Sequence, residues 1–121
     1  MTALETVALY YDAWMNGHGD FSGVPLAEDF EFTGPVASFG SAEGYRAMAR
    51  EASQAVTRFE VRRQFADGDT VCSIIDWEMA LPGVGRTTSA ELLQIVDGVI
   101  VRGELIYDGE ALRRAMAQAA G

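Results

Sequence analysis

Two carboxylates stand two residues apart in the run Ile74-Ile75-Asp76-Trp77-Glu78-Met79. In an extended strand that spacing sends Asp76 and Glu78 to one face and Ile75, Trp77 and Met79 to the other. If the acidic face is enclosed, desolvation and mutual repulsion raise the pKa of at least one acid. A neutral acid beside an ionised one is the pairing that proton-transfer catalysis needs. If the apolar face is enclosed instead, both acids lie in solvent, and periodicity by itself leaves the two arrangements open. A second polar group stands at Tyr10, on the edge of an apolar helical stripe and four residues before Trp14, so the two rings share one flank of a helix.

What is missing narrows the chemistry. The nine basic residues are all arginine, so no Schiff base can form on this chain. His18 is the single histidine and sits in the Gly-rich stretch Asn16-Gly17-His18-Gly19-Asp20, which reads as an exposed loop and cannot supply a multi-histidine metal site. Cys72 stands alone, which excludes an intrachain disulfide or a CxxC pair; a core thiol is expected. Neither GxxxxGK[ST] nor GxGxxG occurs, and the residues call for no metal or cofactor. The net charge of −9, without a basic stripe, argues against nucleic acid. No apolar run approaches the roughly 20 residues that cross a bilayer. Met1 to Glu5 lacks the basic segment that opens a secretory signal, so a cytoplasmic protein is expected.

The elements that would position these groups follow from pattern. The 121 residues suit one domain spanning 1–121. Leu4, Val7, Ala8, Tyr11, Trp14 and Met15 recur at helical spacing, predicting a helix over 3–16 that Gly17 stops. A short second helix is expected from Asp20 to Leu26, and a short strand over Phe30 to Thr33. Ser41 starts a helix whose apolar face is Tyr45, Met48, Ala49 and Ala52, with Arg46 and Arg50 on the solvated side. The period then changes to two. Phe59, Val61 and Phe65 alternate with Glu60, Arg62 and Gln64 up to Asp67-Gly68-Asp69; further strands follow over 70–81, 87–96 and 99–107, closed by Gly- and Pro-rich turns. Hairpin turns make these four strands an antiparallel meander. A final helix runs from Glu110 to Ala119 after Asp108 as a cap, and Arg102 and Glu104 read as an outward ion-paired set. Helices first and a meander afterwards give an α+β fold, with a cleft between the curved sheet and the helices.

This order of elements, with Val7-Ala8-Leu9-Tyr10-Tyr11-Asp12-Ala13-Trp14, Phe32-Thr33-Gly34-Pro35-Val36 and Leu93-Gln94-Ile95-Val96-Asp97-Gly98-Val99-Ile100, resembles the nuclear transport factor 2-like superfamily. That superfamily includes SnoaL-like polyketide cyclases, ketosteroid isomerase and limonene epoxide hydrolase. The resemblance implies a cone: a curved antiparallel sheet wrapped over N-terminal helices, cystatin-like in outline. It implies that Tyr10 matches the isomerase's oxyanion-binding tyrosine and Glu91 its protonated aspartate, while Gly34 occupies the place of its general base. Against the Asp-Arg-Asp array of the epoxide hydrolase, Asp76 matches the first carboxylate and Leu105 the second, with no arginine between.

Placing Glu91 in a pocket by this match turns Asp76 and Glu78 inward and leaves Ile75, Trp77 and Met79 on the convex face, where such proteins pair as homodimers. Asp76 is then the expected base, with Glu91 or Tyr10 as the acid or oxyanion donor and Glu78 in support. Trp14, Phe32, Tyr45, Met48, Leu93, Leu105 and Tyr107 become the expected walls. The implied function is cofactor-independent acid–base chemistry of cyclase, isomerase or epoxide hydrolase type on a small apolar, oxygenated molecule. The alternative is a non-catalytic ligand-binding or dimerisation module of the same fold.

Overall fold

A computed structural model describes residues 1–120. The elements run α1 (Ala3–Met15), β1 (Leu26–Thr33), β2 (Ser38–Phe39), α2 (Ala42–Ala52), β3 (Val56–Asp67), β4 (Thr70–Met79), β5 (Arg86–Val96), β6 (Val99–Ile106) and α3 (Glu110–Ala120). Among the described residues no helix is long and apolar enough to cross a membrane. The expected second helix at 20–26 is absent: Asp20 accepts from the Ser22 amide, Leu26 already begins β1, and Pro25 donates no backbone hydrogen bond. Arg46, expected in solvent, instead donates to the Phe21 and Val24 carbonyls and pins this loop to α2.

The sheet order is β2-β1-β6-β5-β4-β3. The meander β3–β6 is antiparallel as expected, and β1 joins β6 in parallel, which makes the curved sheet mixed. Between β1 and β6 the chain passes through β2, α2 and the strands β3, β4 and β5, so this parallel pairing joins segments remote in sequence, a relation that local patterns do not encode. The hairpin between β5 and β6 is made by Asp97 and Gly98, both at positive φ, a geometry that Asp-Gly adopts at low cost.

Helix α1 is started by a reciprocal cap. The Glu5 amide donates to Thr2 Oγ1 at 3.1 Å and the Thr2 amide to Glu5 Oε1 at 2.9 Å. The helix lies over the concave face against β3, β4, β5 and β6, and α2 packs on β1 and β2. Within the sheet, Gly103 leaves room for side chains of the flanking strands: a Cβ there would lie 3.1 Å from Leu93 and 3.3 Å from Phe30 and Phe32.

Strand β3 carries a bulge between Val61 and Arg63. Before it, Phe59 and Val61 pair with Trp77 and Ile75; after it, Phe65 pairs with Cys72. The extra residue reverses the parity, so Phe65 leaves the interior face of Phe59 and is 53% exposed. Cys72 is correspondingly half-buried on the outer face and is not the core thiol expected.

Candidate functional site

The register of β4 against β5 decides which acids enter the cone. Ser73 pairs with Glu91, Ile75 with Ser89 and Trp77 with Thr87 without a bulge, so Ser73, Ile75, Trp77 and Glu91 share the concave face. Asp76 and Glu78 therefore occupy the convex face, contrary to the inward placement that the family match implied. Asp76 is nevertheless only 2% exposed, because arginines cover it. Arg62 binds it through Nε at 2.9 Å and Nη2 at 2.6 Å, Arg86 donates at 3.1 Å, and Thr88 Oγ1 donates at 2.6 Å. These donors, Arg62 foremost, hold its carboxyl well below the usual range. A carboxylate so engaged on the far side of the sheet does not reach a molecule inside. Glu78 pairs with Arg86 across the strands and is half-exposed there.

Trp77 is corrected in the opposite sense. It is buried on the concave face, donates through Nε1 to Ser89 Oγ at 2.7 Å and packs edge-on against Tyr107 at 5.3 Å. It cannot form the convex interface expected of it.

Inside the cone lies a cavity of about 750 Å³, within the usual range for small-molecule sites. Of the expected walls, Trp14, Phe32, Tyr45, Met48, Leu105 and Tyr107 line it. Leu93 does not: it is sealed in the core against Gly103. Phe59, Trp77 and, from α3, Leu112 and Met116 also line it and had not been expected as walls. The alternation of Trp77 with two acids was a usable signal for its burial; α3 gave none, because closure by the last helix is a tertiary event.

Glu91 is the polar centre of this apolar space. It is 4% exposed and lines the cavity. Tyr10 on α1 donates to Oε2 at 3.0 Å and Tyr11, the next residue, donates to Oε1 at 2.8 Å. Trp14 Nε1 donates to the Tyr45 hydroxyl at 3.3 Å, and the Tyr45 and Tyr10 hydroxyls are hydrogen-bonded to each other. With Glu91 ionised the only consistent direction is Trp14 to Tyr45 to Tyr10 to Glu91, since each phenol has one proton to give. Burial pushes the Glu91 carboxyl up to about 7, against the opposing pull of the Tyr11 and Tyr10 hydrogen bonds. Burial, reinforced by the nearby Glu91 charge, also pushes the Tyr10, Tyr11 and Tyr45 hydroxyls above the ordinary tyrosine range, so all three remain neutral donors.

Tyr11 was read from the sequence only as part of the apolar stripe. Consecutive tyrosines point about 100° apart around a helix, and both nevertheless reach Glu91, one on each carboxylate oxygen. Tyr10 itself is wholly buried behind the cavity wall, leaving Trp14, Tyr45 and Glu91 as the members of the network that line the cavity. Among the described residues no group of three or more His, Cys, Asp or Glu side chains could hold a metal ion.

The SnoaL-like domain profile matches residues 7–108. No match was found among curated proteins. Among solved structures, an NTF2-like protein of unknown function from Cytophaga hutchinsonii ATCC 33406 is 21% identical with a TM-score of 0.79, covering 93% of this chain and 95% of its own. A steroid delta-isomerase from Pseudomonas aeruginosa is 22% identical with a TM-score of 0.75, over 96% and 86% of the two chains. An LEH-like epoxide hydrolase of M. tuberculosis is 16% identical with a TM-score of 0.71, over 98% and 94%. What these identities establish in common is the NTF2-like, cystatin-like fold.

Proposed function

Because this chain belongs to the SnoaL-like domain family and shares its fold with isomerases and epoxide hydrolases, we propose that its cavity binds a small apolar molecule and that Glu91 exchanges a proton with it. One observation carries the reading: a buried carboxyl with a pKa of about 7 forms part of the wall of a largely apolar cavity. Near neutral pH such a group is divided between acid and base, the condition under which one residue can take a proton and return it. Tyr10 and Tyr11 hold the carboxylate in place. No cofactor enters this chemistry. Cyclisation and isomerisation need only a proton removed at one atom and restored at another, so they suit a single carboxyl better than epoxide opening, which needs an acid and a base together.

A generic substrate tests this directly. In 5-nitrobenzisoxazole a base removes the proton on C3, the C–H electron pair becomes part of a nitrile, and the N–O bond breaks to release a phenolate. The wild-type protein is expected to accelerate this, with a rate that rises with pH and levels off above about 7. Glu91→Gln is expected to lose at least about 100-fold. Equal rates for the two proteins would remove the catalytic reading and leave the second one, a ligand-binding module. Gly34, a cavity-lining glycine where the isomerase resemblance calls for a base, favours that alternative.

The same reading includes a homodimer through the convex sheet face. Phe65, Cys72, Ile74, Leu92 and Ile106 lie together there, and Phe65 and Ile106 are 53% and 50% exposed. An apolar patch flanked by the Arg62-Asp76-Arg86 cluster suits a second copy of itself, since each sign of charge finds its complement across a two-fold axis.

A further inference from the structure

The cavity wall is chemically one-sided. Its ionisable acids are Glu91 and, toward the end of α2, Glu51, and it includes neither arginine nor histidine. Aromatic rings line the same cavity: Trp14 is stacked on Phe59 at 5.8 Å, and Trp77 and Tyr107 meet edge-on at 5.3 Å. We propose that the cavity selects lipophilic amines, seating the protonated nitrogen against Glu91 and the aromatic faces while rejecting carboxylates and other anions. The inference rests on the proposed cavity function and adds the class of molecule it prefers.

The geometry supports an ammonium as the missing partner. Each Glu91 oxygen accepts one tyrosine hydrogen bond, and a carboxylate oxygen accepts more than one, so capacity remains on both. Neutral donors fix the carboxylate without cancelling its charge; a buried charge without a counter-ion is the costly state that a cation relieves. Rings in a desolvated site add attraction for a cation, more for tryptophan than for other rings. An anion would meet Glu91 with no positive group in the wall to offset the repulsion; Arg113, whose charge reaches the Tyr107 hydroxyl, stands outside the wall. The chain's net charge of −9 acts in the same sense at longer range.

Binding must then be coupled to protonation. The titratable groups facing Glu91 are Tyr10 and Tyr11 from α1 and, one hydrogen bond further, Tyr45 from α2; the strand neighbours Ser73 and Leu105 bring no charge. Below about 7 the carboxyl must lose its proton before an ammonium can pair with it, so affinity weakens about tenfold per pH unit as pH falls. A free-base amine entering near neutrality can take that same proton.

Fluorescence of the two tryptophans, both in the wall, reports occupancy. Titrate the protein with benzyldimethylamine, with its neutral carbon analogue isobutylbenzene and with phenylacetate, at about pH 8 and about pH 6. The amine is expected to bind at least about tenfold tighter than isobutylbenzene at the higher pH, with phenylacetate weakest, and the advantage should shrink at the lower pH. Glu91→Gln should remove the advantage and keep isobutylbenzene binding. If the variant does not fold, calorimetry of the wild type in two buffers of different ionisation enthalpy replaces it, proton release near neutral pH being the expected sign. Equal affinity for amine and hydrocarbon, or no proton release, would overturn the amine preference while the cavity reading stands. Failure of all three molecules to bind would overturn both.

Discussion

Tyr11 donates to Glu91 Oε1 at 2.8 Å, from a helix packed on the concave face of the sheet to an acid on β5. That bond, with the one from Tyr10, favours the ionised carboxyl and opposes the larger effect of burial.

Replacing Tyr11 with Phe removes the donor and keeps the ring. The Glu91 pKa should rise further above about 7, and stability should fall chiefly where the acid is ionised, by about 1.5–3 kcal/mol, the usual worth of a hydrogen bond to a charged group. Urea unfolding at about pH 5 and about pH 9 checks this, with the larger loss expected at the higher pH.

Glu91 also makes the wild-type protein acid-preferring. Its pKa rises from an ordinary 4.5 to about 7 on folding, so between these values the native state binds more protons than the unfolded one. This contribution is intact below 4.5, declines as pH rises, and is spent above 7. The full loss is about 3 kcal/mol at roughly 1.4 kcal/mol per unit. Glu91→Gln should flatten this part of the stability profile, measured by urea midpoints across the range.

Asp76 should behave in the reverse sense. Its pKa is depressed by Arg62, Thr88 and Arg86, so its contribution is present above the ordinary 3.8 and disappears as pH falls through the lower native value. Asp76→Asn is expected to be less stable than wild type at neutral pH and to converge with it in acid. Isobutylbenzene binding in the cavity should be unchanged, because the side chain is on the other face of the sheet.

Leu92→Asp should yield a monomer by sedimentation, because Leu92 pairs with Cys72 in the centre of the convex patch. Trp77→Phe should not alter assembly; it should cost stability through lost packing and the lost bond to Ser89. The opposite pattern would relocate the interface.

The sequence carried the fold well where local physics decides. Helical spacing marked α1, α2 and α3, and alternation ended by Gly-rich turns marked the four long strands. It failed where a single backbone event changes the outcome. The bulge at Val61–Arg63 turns Phe65 out of an otherwise regular alternation, and Pro25 precedes a strand where a helix had been expected.

The site was half legible. The resemblance brought Glu91 and Tyr10 forward, and the structure joins them by a hydrogen bond; it also sent Asp76 and Glu78 inward, one residue out of phase with the true register. The plain amphipathic reading of Ile75, Trp77 and Met79 would have oriented β4 correctly. Tyr11 was illegible because its use depends on where α1 crosses the sheet, a relation that no stretch of sequence contains.

The most direct test is the titration of Glu91 itself, followed by carbon-13 NMR of its side-chain carboxyl and assigned by comparison with Glu91→Gln. A midpoint near 7 is the expected result. A midpoint at or below the ordinary 4.5 would mean that the carboxyl is not held in a dry apolar wall, and would contradict both its role as a proton-exchanging group and the cavity chemistry built upon it.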